Sequence, residues 1–273
     1  MSDVLLLMLL AAATSGIGAL GGLGGAVILV PVLVLAGWSP LEAAPLGLVS
    51  VVAGSVAAGP RQLAERSVNH RIGVTTELAA TGGAVVGALV ASRFSQDFLV
   101  YVLAGVSLAA AFLGGRRKGL RNPSQPGYGL EHIGERVGSL AGAYPVNGGV
   151  APYQARRLPL GLSLMALSGL VAGTTGASGG FIKTPATSEI MHVPTKVAAS
   201  TTTFTIGITA SAALIVFAMQ GRIDVQQSAA IIFGGLAGGL LGAMAQSRLH
   251  PAHVRRALSV ILMVIAVVLV VTR

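Results

Sequence analysis

The sequence lacks cysteine altogether, and charged residues make up only 10% of its 273 residues. Without cysteine the chain can form no disulfide, no thiolate metal site and no cysteine nucleophile. Soluble domains carry roughly 25% charged residues, so this scarcity of charge excludes an ordinary soluble domain. A mean hydropathy of +0.79 points the same way. The composition therefore predicts an integral membrane protein.

Other missing features further restrict the kind of membrane protein that the sequence can encode. The apolar runs do not alternate in units of ~10 residues, which excludes an outer-membrane β-barrel, so we expect an all-α polytopic membrane protein. The first residues, Met1-Ser-Asp-Val, lack the basic region of a removable signal peptide. The net charge is +9, but the basic residues lie mostly in loops, as the positive-inside rule describes. No basic face with interleaved aromatic residues favours nucleic acid as a partner, and the expected surroundings are a lipid bilayer.

Eight apolar segments can be delimited along the chain, at 4–37, 43–60, 73–92, 98–114, 158–190, 196–220, 226–246 and 256–272. Between the fourth and fifth lies a basic extramembrane linker, 115–157, which opens with Arg116-Arg117-Lys118 and is predicted to be cytoplasmic. A turn signal at Asn147-Gly148-Gly149 predicts a short hairpin within the linker. The domain prediction is a first membrane repeat at 1–114, the linker, and a second membrane repeat at 158–273.

The two halves resemble each other in order and spacing. The run 87–93 (GALVASR) matches 242–248 (GAMAQSR), and Pro31 and Pro40 match Pro185 and Pro194. This predicts two four-segment repeats with glycine-rich breaks in matching places. Such duplicated bundles are typical of secondary transporters, whose substrate site lies near the membrane midplane at the repeat interface.

Segments 1 and 5 are too long for simple membrane helices. A straight helix over segment 1 would span ~51 Å, against a hydrocarbon core of ~30 Å. Both segments are therefore predicted to be broken at their glycines or to be re-entrant. If they cross, the chain has eight spans; if they re-enter, it has six and the repeats are inverted. The distribution of Lys and Arg favours the second topology, and the linker is cytoplasmic in either.

The glycine-rich breaks are the predicted binding site. Glycine and proline interrupt the helix and leave backbone groups without helical hydrogen bonds at membrane depth. Such groups are tolerated only inside protein or beside a watery cavity. We expect these groups and the nearby hydroxyls to bind a small anion. The predicted residues are Gly24 and Gly25 in the first break and Thr175, Ser178, Gly179 and Gly180 in the second.

Lys183 and Glu77 are the ionisable residues predicted inside apolar runs. A lysine at that depth costs ~2.5 kcal/mol or more and marks a pathway or a binding site. Lys183 is predicted to be a substrate-binding residue that attracts the anion directly, with snorkelling to the interface or pairing with Glu77 or Glu189 as the alternatives. Glu77 is a candidate for proton coupling, with an interfacial position as the alternative.

Hydroxyls on segment 6 extend the predicted path. Thr201, Thr205 and Thr209 recur every four residues and so share one helix face. Thr201 and Thr205 are predicted to line the path, with bonds to their own i−4 carbonyls as the alternative. The two histidines of His250-Pro-Ala-His253 lack a third ligand, so neither a metal nor a cofactor is expected.

Two motifs suggest other classes of protein. Gly16-Ile-Gly18-Ala-Leu-Gly21, followed by Glu42, has the spacing of a dinucleotide fingerprint, but that motif requires a preceding strand in a soluble βαβ unit. Gly176-Ala-Ser178-Gly179 matches intramembrane serine proteases, which need a histidine base beside the serine. All five histidines fall in loops or at segment ends. A transporter without catalytic residues is therefore favoured, with an intramembrane serine protease or a passive anion channel as the alternative.

Several of these runs together resemble the TauE/SafE sulfite exporter family. They are Gly21-Gly22-Leu-Gly24-Gly25 with Val30-Pro31, Gly179-Gly180-Phe-Ile-Lys-Thr-Pro185, Val193-Pro-Thr-Lys-Val-Ala-Ala-Ser-Thr and Ile206-Gly-Ile-Thr. The resemblance implies a multi-pass transporter of the bacterial cell inner membrane that moves small sulfur-containing or organic anions, such as sulfite or an organosulfonate. The hydroxyls in the second glycine cluster depart from a purer glycine run and bear on specificity. Direction of transport, coupling ion and assembly into a homo-oligomer are left open by the sequence.

Overall fold

The computed structural model describes residues 2–21, 24–115, 127–146, 149–246 and 251–272. Ten α-helices are found in these ranges: α1 Ser2–Gly21, α2 Ala26–Leu35, α3 Pro40–Ala64, α4 His70–Ala91, α5 Gln96–Gly115, α6 Leu158–Thr175, α7 Gly180–Pro185, α8 Thr195–Met219, α9 Val225–Gln246 and α10 Pro251–Val271. A π-helical turn, Ala186–Ile190, follows α7, and a 3₁₀ turn, Leu130–His132, lies in the linker. Three short strands complete the linker: β1 Gly134–Glu135, β2 Ala141–Val146 and β3 Gly149–Gln154.

Six of the described helices are long and apolar enough to cross a membrane, namely α3, α4, α5, α6, α8 and α9. Shorter apolar stretches lie in α1, α2 and α10. The prediction of an all-α polytopic membrane protein is confirmed at this level. Local sequence sets the helix starts: at α3, the Ser39 amide donates to the Glu42 carboxylate (3.0 Å) and the Glu42 amide donates to Ser39 Oγ (3.3 Å), a reciprocal cap.

Both long segments are interrupted near their glycines, as the sequence predicts. Segment 1 forms α1 and α2, with Gly24 between them at φ +82°. Segment 5 forms α6 and α7, and Gly176 ends α6 at φ +71°. A Cβ on Gly176 would also lie 2.3 Å from the carbonyl oxygen of Ala44. Side chains rarely adopt such positive φ values, so the glycines permit both the turn and the close approach of α3.

Glycines also allow two pairs of helices to pack at backbone distance, α1 with α9 and α4 with α6. A Cβ on Gly83 of α4 would lie 2.0 Å from the carbonyl oxygen of Ala166, and one on Gly238 of α9 would lie 2.0 Å from that of Ala12. A Cβ on Gly87 would lie 2.3 Å from the carbonyl oxygen of Leu170, and one on Gly242 would lie 2.3 Å from that of Gly16. The small residues act here as they do in membrane helix dimers. These two contacts of α4 with α6 therefore have counterparts between α1 and α9, about 154 residues away.

The linker folds onto the ends of the membrane helices. Its strands form one antiparallel sheet in the order β1-β2-β3, and Val146 pairs with Gly149. The predicted hairpin is therefore confirmed, although Asn147 and Gly148 lie outside the described residues. Buried Tyr153 packs in a small core with Ile72, Met191 and Val193. Burial raises the pKa of Tyr153 to about 12, so its phenol stays neutral and serves as a hydrogen-bond partner.

Asn69 joins the linker to the membrane helices. Its side chain is fully buried (0% exposed); Oδ1 accepts from the Ile72 amide at 2.9 Å, which caps α4. Nδ2 donates to the Ala141 carbonyl (3.2 Å) and to the Tyr153 hydroxyl (3.1 Å). One side chain therefore starts α4 and docks the sheet on it.

Asn69→Ala is expected to lower the free energy of unfolding by about 3 kcal/mol, since a helix cap contributes ~1 kcal/mol and each of the two further hydrogen bonds a similar amount. Asn69→Ser keeps a capping oxygen but loses the amide donor, so about a third of the loss should return. Thermal unfolding in detergent measures both variants. Equal melting of wild type and Asn69→Ala would contradict the anchoring role.

Candidate functional site

The two helix breaks meet inside the bundle. A Cβ on Gly24 would lie 2.8 Å from Ser178 Oγ, and one on Gly25 would lie 2.6 Å from Ser15 Cα. Gly24 and Gly25 belong to the first break and Ser178 to the second. Their contact brings the two predicted halves of the site together, with no room for larger side chains between them.

A cavity of about 390 Å³ adjoins this contact, between α1, α3, α8 and α9. It extends along α3 from buried Ser50 (1% exposed) to exposed Arg61 at the end of the helix. Its polar lining residues are Ser15, Ser50, Ser55, Arg61, Gln62, Glu65, Ser178, Lys196, Ser200, Thr202 and Thr203, interspersed with Gly18, Gly24, Gly25, Gly54, Gly180 and Gly239. The cavity is therefore a funnel with hydroxyls at its deep end and charges at its rim.

The deep hydroxyls differ in how far they are already engaged. Ser15 Oγ and Ser50 Oγ lie 3.2 Å apart and bond each other. Ser55 donates to the Phe204 carbonyl at 3.0 Å. Ser178 Oγ instead accepts from the Gly180 amide at 3.3 Å, which leaves its own hydrogen for another acceptor. Ser178 thus offers a donor at the point where the two breaks touch.

Charges of both signs surround the rim. Glu65 binds the Arg61 guanidinium at 3.0 Å and the Lys196 ammonium at 3.2 Å. The hydrogen bond from Arg61, together with Lys196, holds the pKa of Glu65 below its usual range. These three groups carry one net positive charge, and the rim therefore favours anions over cations.

Lys183 lies behind the cavity in a buried ion pair. Only 2% of Lys183 and 4% of Glu77 are exposed, and Nζ lies 3.0 Å from each carboxylate oxygen. Thr209 joins both partners: Nζ donates to Thr209 Oγ1 at 2.6 Å, and the Thr209 amide donates to Glu77 Oε1 at 3.0 Å. The Thr209 hydroxyl also bonds Glu77. Of the predicted fates of Lys183, the structure shows the pairing with Glu77, whereas Glu189 is exposed.

The predicted site residues fall into two groups. Gly24, Gly25, Ser178 and Gly180 line the cavity, whereas Glu77, Thr175, Gly179, Lys183, Thr201 and Thr205 are not among its lining residues. Thr205 and Thr175 bond the carbonyls four residues earlier, at 3.0 and 2.7 Å. Thr201 Oγ1 accepts from the Asn69 amide at 2.9 Å. The Gly179 carbonyl accepts from Ser168 at 2.8 Å.

Most of the residues that line the cavity were not predicted from the sequence. On α8 the lining side chains are Ala199, Ser200, Thr202, Thr203 and Ile206, and Thr201, Thr205 and Thr209 are not among them. The hydroxyl run 200–203 is visible in the sequence, but the spacing of Thr201 and Thr205 led to the prediction that these two residues line the path. The rim residues Arg61 and Lys196 carried a signal only in being charges at the ends of apolar segments.

Other chemistries find little support in the described part of the chain. No group of three His, Asp or Glu side chains there could hold a metal ion. Ser178 makes its described hydrogen bond to a backbone amide, and the side chains of His250 and His253 lie outside the described residues. Among the described residues, the hydrogen-bond partner of Ser178 is thus a backbone amide and not a histidine.

Comparison with known proteins gives a consistent result. The sulfite exporter TauE/SafE family matches residues 7–269. A curated relative, the probable membrane transporter protein YunE of Bacillus subtilis (strain 168), is 22% identical over 275 aligned positions, which cover 97% of this chain and 96% of the relative. No solved structure matches significantly. Because the family match spans nearly the whole chain, this protein belongs to the sulfite exporter TauE/SafE family of membrane transporters.

Proposed function

We propose that the protein carries small sulfur oxyanions, sulfite or an organosulfonate, across the bacterial inner membrane through the cavity at the two helix breaks. The observation that carries this proposal is the contact of Gly24 with Ser178 at the deep end of a hydroxyl-lined funnel. Sulfur oxyanions present several acceptor oxygens in a compact volume. Hydroxyl and amide donors in a poorly solvated site bind such oxygens more strongly than they would in water.

The rim supports selectivity for anions. Arg61 and Lys196 lie on the route into the cavity, with Glu65 bound between them. An entering anion gains from the net positive charge and then leaves bulk water. The deeper neutral donors, such as Ser178, then replace part of its hydration shell.

We further infer a carrier built from two repeats, at 1–114 and 158–273, with the linker 115–157 on the cytoplasmic side. The paired contacts of α1 with α9 and of α4 with α6 support this arrangement, because the close approaches at Gly83 and Gly87 recur at Gly238 and Gly242. In repeat transporters one set of helices moves against the other around a central site. A passive channel would instead conduct without saturation.

The test is uptake of radiolabelled sulfite, thiosulfate, sulfate and carbon-bearing sulfonates into proteoliposomes. Gly54 lines the cavity, and a Cβ there would meet nothing within 4 Å, so Gly54→Leu should fold normally and fill part of the path. We expect saturable uptake in the wild type and at least a tenfold loss in Gly54→Leu, as for a blocked site worth about 1.4 kcal/mol or more.

Gly82→Leu is the matched control, since an added Cβ there also meets nothing within 4 Å and Gly82 lies on α4, away from the cavity lining. It should transport at the wild-type rate. Absence of uptake for every anion tested, or equal rates in Gly54→Leu and the wild type, would overturn the proposed route.

A further inference from the structure

The buried ion pair lies directly beyond the deep end of the cavity. Gly180 on α7 and Ile206 on α8 line the cavity. Lys183 and Thr209 follow them by three residues, and residues three apart in a helix stand on the same face about one turn on. The Glu77–Lys183 pair therefore lies about one helical turn from the cavity lining on both α7 and α8, close enough for an anion that moves deeper to reach it.

The pair is isolated from other charges in the described part of the chain. α4 packs on α6 and α8, and α7 packs on α5, α6 and α8. The other charged residues and histidines of these elements stand at their ends: His70 and Arg71 in the first turn of α4, Asp97 in that of α5, Lys196 in that of α8, Arg157 just before α6, and exposed Glu189 in the π-helical turn. Tyr101, in the second turn of α5, is exposed. Glu77 and Lys183 consequently depend on each other for charge balance.

We propose that the protein moves one proton together with each singly charged anion, and that Glu77 carries the proton while Lys183 holds the anion. The inference rests on the proposed anion transport and specifies its coupling ion. The proton forms an O–H bond on the Glu77 carboxylate, and Lys183 remains an ammonium group throughout. Neutral Glu77 no longer competes for that ammonium, which then binds the anion. On the other side of the membrane the anion is released and Glu77 loses its proton, and the Glu77–Lys183 ion pair then forms again.

Charge balance makes this coupling obligatory. The empty pair is neutral, and the pair with one proton and one singly charged anion is neutral too. An anion bound without the proton would leave a net negative charge at membrane depth, and a proton without the anion a net positive one. A net charge there costs at least ~2.5 kcal/mol, so the two neutral forms are the ones that cross.

The asymmetry of the halves sets the stoichiometry. Leu29, fully buried in an apolar cluster, stands in the first half where Lys183 stands in the second. The described residues therefore provide one such pair per chain, and one proton per cycle. Thr209 bonds both partners, so it can hold Lys183 in place while Glu77 changes its protonation state.

The experiment uses proteoliposomes of the full chain with radiolabelled methanesulfonate and sulfite outside and a pH-sensitive dye inside. Methanesulfonate is the anion of a strong acid and cannot carry a proton itself, so any coupled proton must be carried by the protein. We expect an inward proton gradient to drive accumulation, with equal amounts of anion and proton entering. Glu77→Gln is neutral only with the anion bound, so it should lose the accumulation and the proton entry but keep the exchange of labelled for unlabelled anion across the membrane.

Glu131→Gln is the matched control, because Glu131 is exposed and lies in the linker; it should retain full coupling. Proton entry that persists in Glu77→Gln, or wild-type anion flux that does not respond to the proton gradient, would overturn the proposed coupling. Neither result would contradict anion transport. If no anion is transported, the proposed transport function is overturned. Infrared titration then tests separately whether Glu77 takes up a proton. A protonated-carboxyl band that appears as the pH falls and is missing in Glu77→Gln is expected; its absence from the wild type would overturn the role of Glu77.

A double variant that removes both charges tests whether an effect of the single substitution comes from misfolding. Glu77→Gln combined with Lys183→Met leaves no unpaired buried charge and should fold. It should show neither proton entry nor accumulation. Proton-driven accumulation in this double variant would likewise overturn the proposal.

Discussion

Lys183→Ala is expected to destabilise the folded protein by about 3–5 kcal/mol, the usual cost of removing one partner from a buried ion pair. Lys183 places its ammonium 3.0 Å from both Glu77 oxygens at 2% exposure, so the substitution leaves a buried carboxylate without its counter-charge. Thr209 still donates to that carboxylate, and this limits the loss. Chemical unfolding in detergent, followed by circular dichroism, measures the effect.

The same experiment separates the charge from the packing. Combining Lys183→Met with Glu77→Gln removes both charges and nearly keeps the volume, and such replacements are often neutral or stabilising. We expect the double variant to unfold at or near the wild-type midpoint. A double variant as unstable as Lys183→Ala would show that the pair contributes through its shape and hydrogen bonds rather than through charge balance.

This prediction changes how loss of uptake in Lys183→Ala must be interpreted. The sequence predicts that Lys183 attracts the anion directly, and this role in binding stays a prediction. In the structure, Lys183 joins α7 to α4 and α8 through Glu77 and Thr209. Uptake must therefore be normalised to folded protein before a change is ascribed to the site. The double variant supplies that comparison, because it is expected to fold without the charge.

The breaks could be predicted from sequence because their cause is local. Glycines near Gly24 and Gly176 interrupt runs that are too long for the membrane, and both positions adopt positive φ. Apolar length likewise predicted the spanning helices, and the turn residues at 147–149 predicted the hairpin of the linker. Each of these signals lies within a few residues of the structure that it specifies.

The site was harder to predict because its geometry depends on distant contacts. Glu77 and Lys183 are 106 residues apart, and sequence alone offered Glu189 as an equal partner. Similarly, α8 carries hydroxyls on two faces near its start. Only the packing of α3 and α4 against it decides that Thr202 faces the cavity while Thr201 meets the Asn69 amide. Residue spacing predicts which side chains share a helix face, but it does not predict which other helix packs against that face.

The second large effect is expected at Gly169, where α6 crosses α4. A Cβ there would lie 1.8 Å from the carbonyl oxygen of Ala80, and no rotamer change relieves a clash with backbone. Ordinary overpacking costs about 1–3 kcal/mol, and Gly169→Leu should exceed this by forcing α6 and α4 apart. Because α4 carries Glu77 and α7 follows α6, the separation would also break the ion pair. We expect no folded, monodisperse protein by size-exclusion chromatography.

Gly82→Leu on the same α4 provides the control, since a Cβ at Gly82 meets nothing within 4 Å. That variant should be at least as stable as the wild type, because leucine favours a helix over glycine by up to ~1 kcal/mol. The repeat adds a stricter test. Gly83→Ala and Gly238→Ala each place a Cβ 2.0 Å from a carbonyl oxygen, of Ala166 and Ala12 respectively. If the two crossings are true counterparts, the two variants should lose stability by similar amounts; a harmless Gly238→Ala beside a damaging Gly83→Ala would show that the halves share sequence spacing without sharing packing.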